Sequence, residues 1–146
     1  MKARILAGAA ALALAAGAAQ AGDDVVTYAY DGSFDDAAFS VQNEIIDRGL
    51  VIDYVSHVGD MLNRTAADVG ATKKIFDKAD VFLFCSAVLS RKVMEADPMN
   101  VAHCPYGIFV ADMGGKVVVG HRVYPDGPMK EVEALLDDIA RKAVSE

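Results

Sequence analysis

Three histidines and two cysteines stand out among the 146 residues of this chain as groups able to bind a metal, move a proton or form a covalent bond. The densest surroundings belong to His57, in the run His57-Val58-Gly59-Asp60-Met61-Leu62-Asn63-Arg64-Thr65. His57 closes an apolar alternating stretch and comes just before a glycine break and a helix start. Such junctions expose side chains and turn unpaired backbone N–H groups toward solvent, where they can meet an anion. Arg64 and Thr65 follow Asp60 within the first turns of the same helix. This pattern predicts a pocket lip that grips a small ligand, with Met61, Arg64 and Thr65 on it. In its metal version, His57 ligates a metal or a haem iron. The plainer alternative is a histidine bonded to a neighbouring strand and an arginine paired with an acid.

The cysteines sit in Phe84-Cys85-Ser86-Ala87 and His103-Cys104-Pro105-Tyr106, nineteen residues apart, a strand-helix-strand distance. An even pair in an oxidising compartment reads as a disulfide. Closing a loop of about 20 residues would stabilise the fold by roughly 3 kcal/mol in the chain-entropy model. Two buried thiols are the competing reading, with metal binding or redox chemistry behind it. A metal would need three or four ligands from His57, Cys85, His103, Cys104 and His121, whose spacing matches no CxxC or HxxxH pattern. A cysteine nucleophile would need a base and an oxyanion site, and the sequence identifies neither. The methionines are scattered without an MxxM pattern and suit core filling better than copper. Gly114-Gly115 reads as a hairpin turn, since no GxxxxGK[ST] or GxGxxG surrounds it.

The elements that must position these groups follow from hydrophobic period and turn chemistry. Val25–Tyr30 is a β-branched and aromatic run, hence a strand. Ser33 is a good N-cap, Asp35 and Asp36 suit the first helical turn, and Phe34, Ala38, Val41 and Ile45 share a face up to Gly49. Leu50–Val58 alternates as a strand, with Val51, Asp53, Val55 and His57 on one side and Ile52, Tyr54, Ser56 and Val58 on the other. Asp60 is expected to cap a helix reaching about Val69, followed by a loop or short helix over Ala71–Lys78. Val81–Ser86 is almost wholly apolar, the pattern of a central strand covered on both faces. A helix over Leu89–Ala96 stops before Asp97-Pro98. Strands over Val101–Val110 and Val117–Val123 are joined across Met113-Gly114-Gly115. Met129–Val144 is amphipathic, with Val132, Leu135, Leu136 and Ile139 inward. The order β-α-β-α-β-α-β-β-α predicts an α+β fold: a single sheet of about five strands with helices packed on one or both faces.

Both the N-terminus and the composition bear on where such a domain works. Lys2 and Arg4 precede an uncharged Ala- and Leu-rich stretch from Ile5 to Ala19, closed by Ala19-Gln20-Ala21. That arrangement predicts a cleavable export signal over residues 1–21 and a single domain over 22–146, in the periplasm or secreted. The apolar run is shorter than the roughly 20 residues a membrane-spanning helix needs, so no span is expected after cleavage. No cysteine stands at the cleavage point to carry a lipid. The net charge is −7, and removing Lys2 and Arg4 takes it to −9 (12 basic against 21 acidic residues). So acidic a surface repels phosphates, which excludes nucleic acid as a partner.

A family resemblance appears in the same strings. Gly49-Leu50-Val51-Ile52-Asp53-Tyr54-Val55-Ser56-His57-Val58-Gly59, with Met61-Leu62 and Arg64-Thr65, is similar to the family known as domain of unknown function 302. Thr72-Lys73-Lys74-Ile75-Phe76, Phe84-Cys85-Ser86-Ala87, Leu89-Ser90-Arg91 with Met94, Ala96-Asp97-Pro98 with Asn100, and Cys104-Pro105-Tyr106 continue the resemblance over most of the domain. It implies an α+β fold, often dimeric, and brings no settled reaction. His57 belongs to the resembling strings, which strengthens the pocket reading; His103 and His121 lie outside them.

The first expectation is an exported, non-enzymatic module. It binds a small ligand or a cofactor such as haem near His57, Met61, Arg64 and Thr65, with Cys85, Cys104 and Tyr106 close by. The chain lacks CxxCH, so haem would be held without thioether links. The alternative is a thiol-dependent or redox protein of periplasmic sulfur chemistry that uses Cys85 or Cys104. Self-association into a homodimer is compatible with both.

Overall fold

A computed structural model describes residues 20–21 and 24–145. The export signal expected over residues 1–21 lies outside the described residues, apart from Gln20–Ala21. These two residues form β1, a short strand paired with the edge of the sheet. The remaining elements are β2 (Val25–Tyr30), α1 (Phe34–Asp47), β3 (Val51–Ser56), α2 (Val58–Thr65), β4 (Lys78–Cys85) and α3 (Ala87–Ala96). They continue with a 3-10 helix (Pro98–His103), β5 (Tyr106–Asp112), β6 (Val117–Arg122) and α4 (Met129–Ala143). The α+β class and the element order are as expected. The sheet is antiparallel throughout, in the order β1-β2-β6-β5-β4-β3. A chain cleaved after Ala21 would keep the five longer strands.

Local chemistry sets the helix limits. The Ser33 hydroxyl accepts the Asp36 N–H at 3.1 Å, satisfying one of the free donors at the start of α1. Ser86 does the same for Leu89 at the start of α3. Asp97 caps the 3-10 helix by accepting from Met99 at 2.9 Å. Between β5 and β6 the chain reverses through Gly114 and Gly115, at φ 70° and 82°, a left-handed conformation that side chains disfavour.

The core lies between one face of the sheet and the helices α1 and α4. Val41 and Ile45 of α1, with Val132, Leu136 and Ile139 of α4, pack against Phe82, Phe84, Ile108, Val110 and Val119. All except Phe82 are fully buried, and each large side chain so buried contributes about 1.5–3 kcal/mol. Arg48 ties the two helices together, pairing with Glu44 of α1 and with Asp138 of α4 at 2.6 Å.

Four expectations are corrected. Between Ile52 and Tyr54 the pairing of β3 with β4 shifts register. The extra residue places Ile52 and Val55 together against the core and leaves Val51 and Tyr54 exposed, breaking the simple alternation. In α2, His57 stands at the N-cap position and Asp60 inside the first turn, because Gly59 already packs on the backbone of Lys78 and Ala79. The segment expected to open as a strand at Val101 is 3-10 helix to His103, since Asp97 and Pro98 start a new helical turn. Finally, the middle of β4 is covered on one face only: Phe82 and Phe84 are buried, while Val81 and Leu83 are half-exposed.

Candidate functional site

The pairing register decides which of the expected site residues can act together. Ser56 pairs with Val81, so His57 stands at one end of β4; Val51 pairs with Cys85, at the other end. The five steps along the strand from Asp80 to Cys85 span roughly 17 Å. The His57–Thr65 group and the Cys85–Cys104 group are therefore two separate places on the sheet.

At the His57 end, the imidazole Nδ1 lies 2.8 Å from Asp80 Oδ1, with the His57 side chain 60% exposed. Asp80 orients the ring and leaves Nε2 toward solvent. The carboxylate behind the ring is the kind of partner that holds metal-ligating histidines. Among the described residues, however, no three His, Cys, Asp or Glu side chains come together to hold a metal ion. The five residues considered for zinc are divided among separate places, with the cysteines bonded to each other.

Along α2, the Met61 N–H donates to the His57 carbonyl at 3.1 Å and the Thr65 hydroxyl to the Met61 carbonyl at 2.8 Å. Met61 and Arg64 are exposed. Thr65 faces a groove of about 560 Å³ between the second half of α2 and the irregular segment that follows. Leu62, Ala66, Val69 and Ile75 give it apolar walls, and Asn63, Thr72 and Lys73 give it polar points. Asn63 pins the two walls together, its amide donating to the Phe76 carbonyl at 3.3 Å. Lys74 is occupied by Asp77 at 2.7 Å, and that hydrogen bond, with the Gly114 N–H behind it, holds the Asp77 carboxyl below the usual range. Lys73 is left as the cation of the groove.

At the other end, Cys85 and Cys104 form a disulfide, with Cα atoms 6.7 Å apart. It links the end of β4 to the start of β5, and no free cysteine remains among the described residues. Tyr106, expected beside a ligand, is fully buried, its hydroxyl 3.0 Å from Ser90 Oγ under α3. Its ring meets Tyr124 edge-on, and Tyr124 meets His103 in the same way. A tyrosine at the first position of β5 must face either the core or solvent, and here it serves the core.

Sequence reasoning missed Asp80 as a partner and the burial of His121, which it weighed only as a metal ligand. Asp80, the partner of His57, lies on the neighbouring strand and shows no local signal. His121 is fully buried near Asp137, its Nε2 3.4 Å from Oδ1 and its Nδ1 3.0 Å from the Arg122 carbonyl. Only its place in a strand of valines hinted at burial.

The fold resembles the crystal structure of an uncharacterised conserved DUF302 protein from Bacillus stearothermophilus. The TM-score is 0.61 and the identity 11%, over 83% of this chain and 93% of that one. Among curated proteins none matches the chain. The family model described as domain of unknown function DUF302 matches residues 26–142, from β2 into the last turn of α4. With that match spanning both chemical ends of the sheet, the chain belongs to the DUF302 family.

Proposed function

We propose that this domain is an exported, non-enzymatic module that binds a small, mainly apolar molecule in the groove beside α2. One observation carries the reading: the groove holds about 560 Å³, within the range of roughly 300–1,000 Å³ common to small-molecule sites. Its apolar walls would bury the body of the ligand, and Asn63, Thr72 and Lys73 would orient its polar end. The disulfide supports an oxidising compartment, where such bonds persist.

The test is a fluorescence titration of the full protein with the neutral probe N-phenyl-1-naphthylamine. Thr65→Trp, which fills the groove, is expected to weaken binding by about tenfold or more while the thermal midpoint holds, since a site that has lost its cavity loses the burial that drives it. Equal binding by Thr65→Trp and parent would overturn the reading. Haemin tests the cofactor version: a Soret band that depends on His57 would assign the ligand as haem, and a spectrum unchanged in His57→Ala would remove it.

A further inference from the structure

The sheet face opposite α1 and α4 is apolar yet largely without cover. Its central strand β4 was expected to be buried on both sides, and that strand's sequence is apolar on both. The register places the exposed side chains in rows. Tyr54 pairs with Leu83 and Leu83 with Gly107, while Val25 pairs with Arg122. Ile108 pairs with His121, which sets Gly107 and Arg122 next along their strands, so one row runs from β3 to β2. The adjoining row carries Ser56, Val81, Phe109, Gly120 and Thr27. At the far end of the face, where α2 packs, Ala79 and Ala111 are already buried. Over the two open rows, Val81, Leu83 and Phe109 are half-exposed and Tyr54 is 63% exposed.

Two glycines hollow out this face. A Cβ on Gly107 would lie 3.2 Å from Val81 and 3.3 Å from Leu83, and Phe109 lies across Gly120. A cavity of about 390 Å³ follows, floored by Val81, Leu83, Gly107 and Phe109. It adjoins a second of about 620 Å³ that reaches His103, and Val25, Arg122 and Tyr124 line both. Arg122 is exposed at the junction and pairs with no carboxylate among the described residues, although Asp24 stands on the rim of the second cavity. On so acidic a chain, most cations are neutralised by neighbours: Arg48, Lys78, Lys92, Lys130 and Arg141 all hold acids. An unpaired guanidinium at the rim of an apolar trough is a donor fork that matches the geometry of carboxylate and sulfonate oxygens.

We propose that this trough is a second binding site, for a small organic anion whose aromatic or short acyl body lies along Val81, Leu83, Gly107 and Phe109 and whose carboxylate or sulfonate meets Arg122. Charge complementarity selects this occupant: the floor takes any apolar body, but Arg122 gives the advantage to one that carries a negative end. His103 lines the second cavity as well.

Two probes with the same body test the proposal on the full protein: 1-anilinonaphthalene-8-sulfonate and neutral N-phenyl-1-naphthylamine. The sulfonate is expected to bind the trough, to weaken as salt rises, and to be displaced by benzoate but not by benzyl alcohol. Arg122→Gln is expected to weaken sulfonate binding by about tenfold, the worth of one charge-assisted contact, with neutral-probe binding unchanged. Lys73→Gln is expected to leave sulfonate binding as in the parent, which separates this site from the α2 groove. Sulfonate binding that survives Arg122→Gln overturns the proposal, as does displacement by benzyl alcohol as strong as by benzoate. So does a doubled mass by sedimentation that Phe109→Glu returns to monomer, because a second copy then occupies the face.

Discussion

The Tyr28 hydroxyl donates to the Asp137 carboxylate at 2.5 Å, joining β2 to α4 across the edge of the core. Arg141 lies 5.2 Å above the Tyr28 ring and donates to the other Asp137 oxygen at 2.7 Å, while His121 approaches from within. Burial alone would raise the Asp137 pKa, but hydrogen bonds from Tyr28, Arg141 and His121 outweigh it and hold the carboxyl below its usual value. A depressed folded pKa stabilises the fold above the unfolded value of about 3.9, and that contribution disappears as pH falls through the folded value. The thermal midpoint of Asp137→Asn is therefore expected to fall less than that of the parent between neutral pH and pH 2, as followed by circular dichroism. An identical fall in both would refute it.

At the alkaline side the sign reverses. Burial, reinforced by the hydrogen bond and charge of Asp137, pushes the Tyr28 phenol up to about 12; burial does the same for Tyr124. Both phenols favour the folded state fully below the unfolded value of about 10, and this stability is lost as pH rises from there through the folded values. Absorbance at 295 nm is expected to show Tyr28 and Tyr124 ionising late. Tyr28→Phe and Tyr124→Phe should each remove one late ionisation.

Gly120 lies where strand and ring come closest. A Cβ there would meet the Val26 carbonyl oxygen and the Phe109 ring, each at 2.5 Å. Backbone cannot yield as a flexible side chain does, so Gly120→Ala is expected to cost about 1–3 kcal/mol in urea unfolding. A midpoint equal to the parent's would show that the sheet opens there freely.

Reduction, or a Cys85→Ser and Cys104→Ser double substitution, removes a cross-link over 19 residues of sequence. The expected loss is about 3 kcal/mol in chemical denaturation. Probe binding in the α2 groove should survive it under native conditions, since the bond lies at the opposite end of β4.

Burial and exposure give the sharpest contrast between two single substitutions. Leu136 is fully buried, and Leu136→Ala is expected to cost about 2–5 kcal/mol. His57→Ala breaks only an exposed pair with Asp80 and is expected to change stability by less than about 1 kcal/mol. Equal midpoints for the two variants would contradict the packing described here.

The local code was legible wherever a short stretch of chain settles its own conformation. Ser33 and the acids after it start α1, Gly114 and Gly115 turn the hairpin, and the spacing of Val132, Leu136 and Ile139 sets the buried face of α4. The apolar composition of β4 was equally plain, but its meaning was not. A strand apolar on both faces shows that both can be buried, not that this chain buries both. Which face α1 and α4 cover depends on the order of strands in the sheet, and so does the open trough at Arg122. The bulge beside Asp53 was invisible for the same reason, because it exists only as a mismatch between two paired strands. Distance was the largest gap. His57 and Cys85 bound the same stretch of sequence, and only the antiparallel register of β3 on β4 places them at opposite ends of the sheet. The sequence by itself determined the elements and their caps, through local backbone and side-chain energetics. The tertiary structure alone decided which chemical groups share a site, because that depends on long-range pairing that local interactions do not encode.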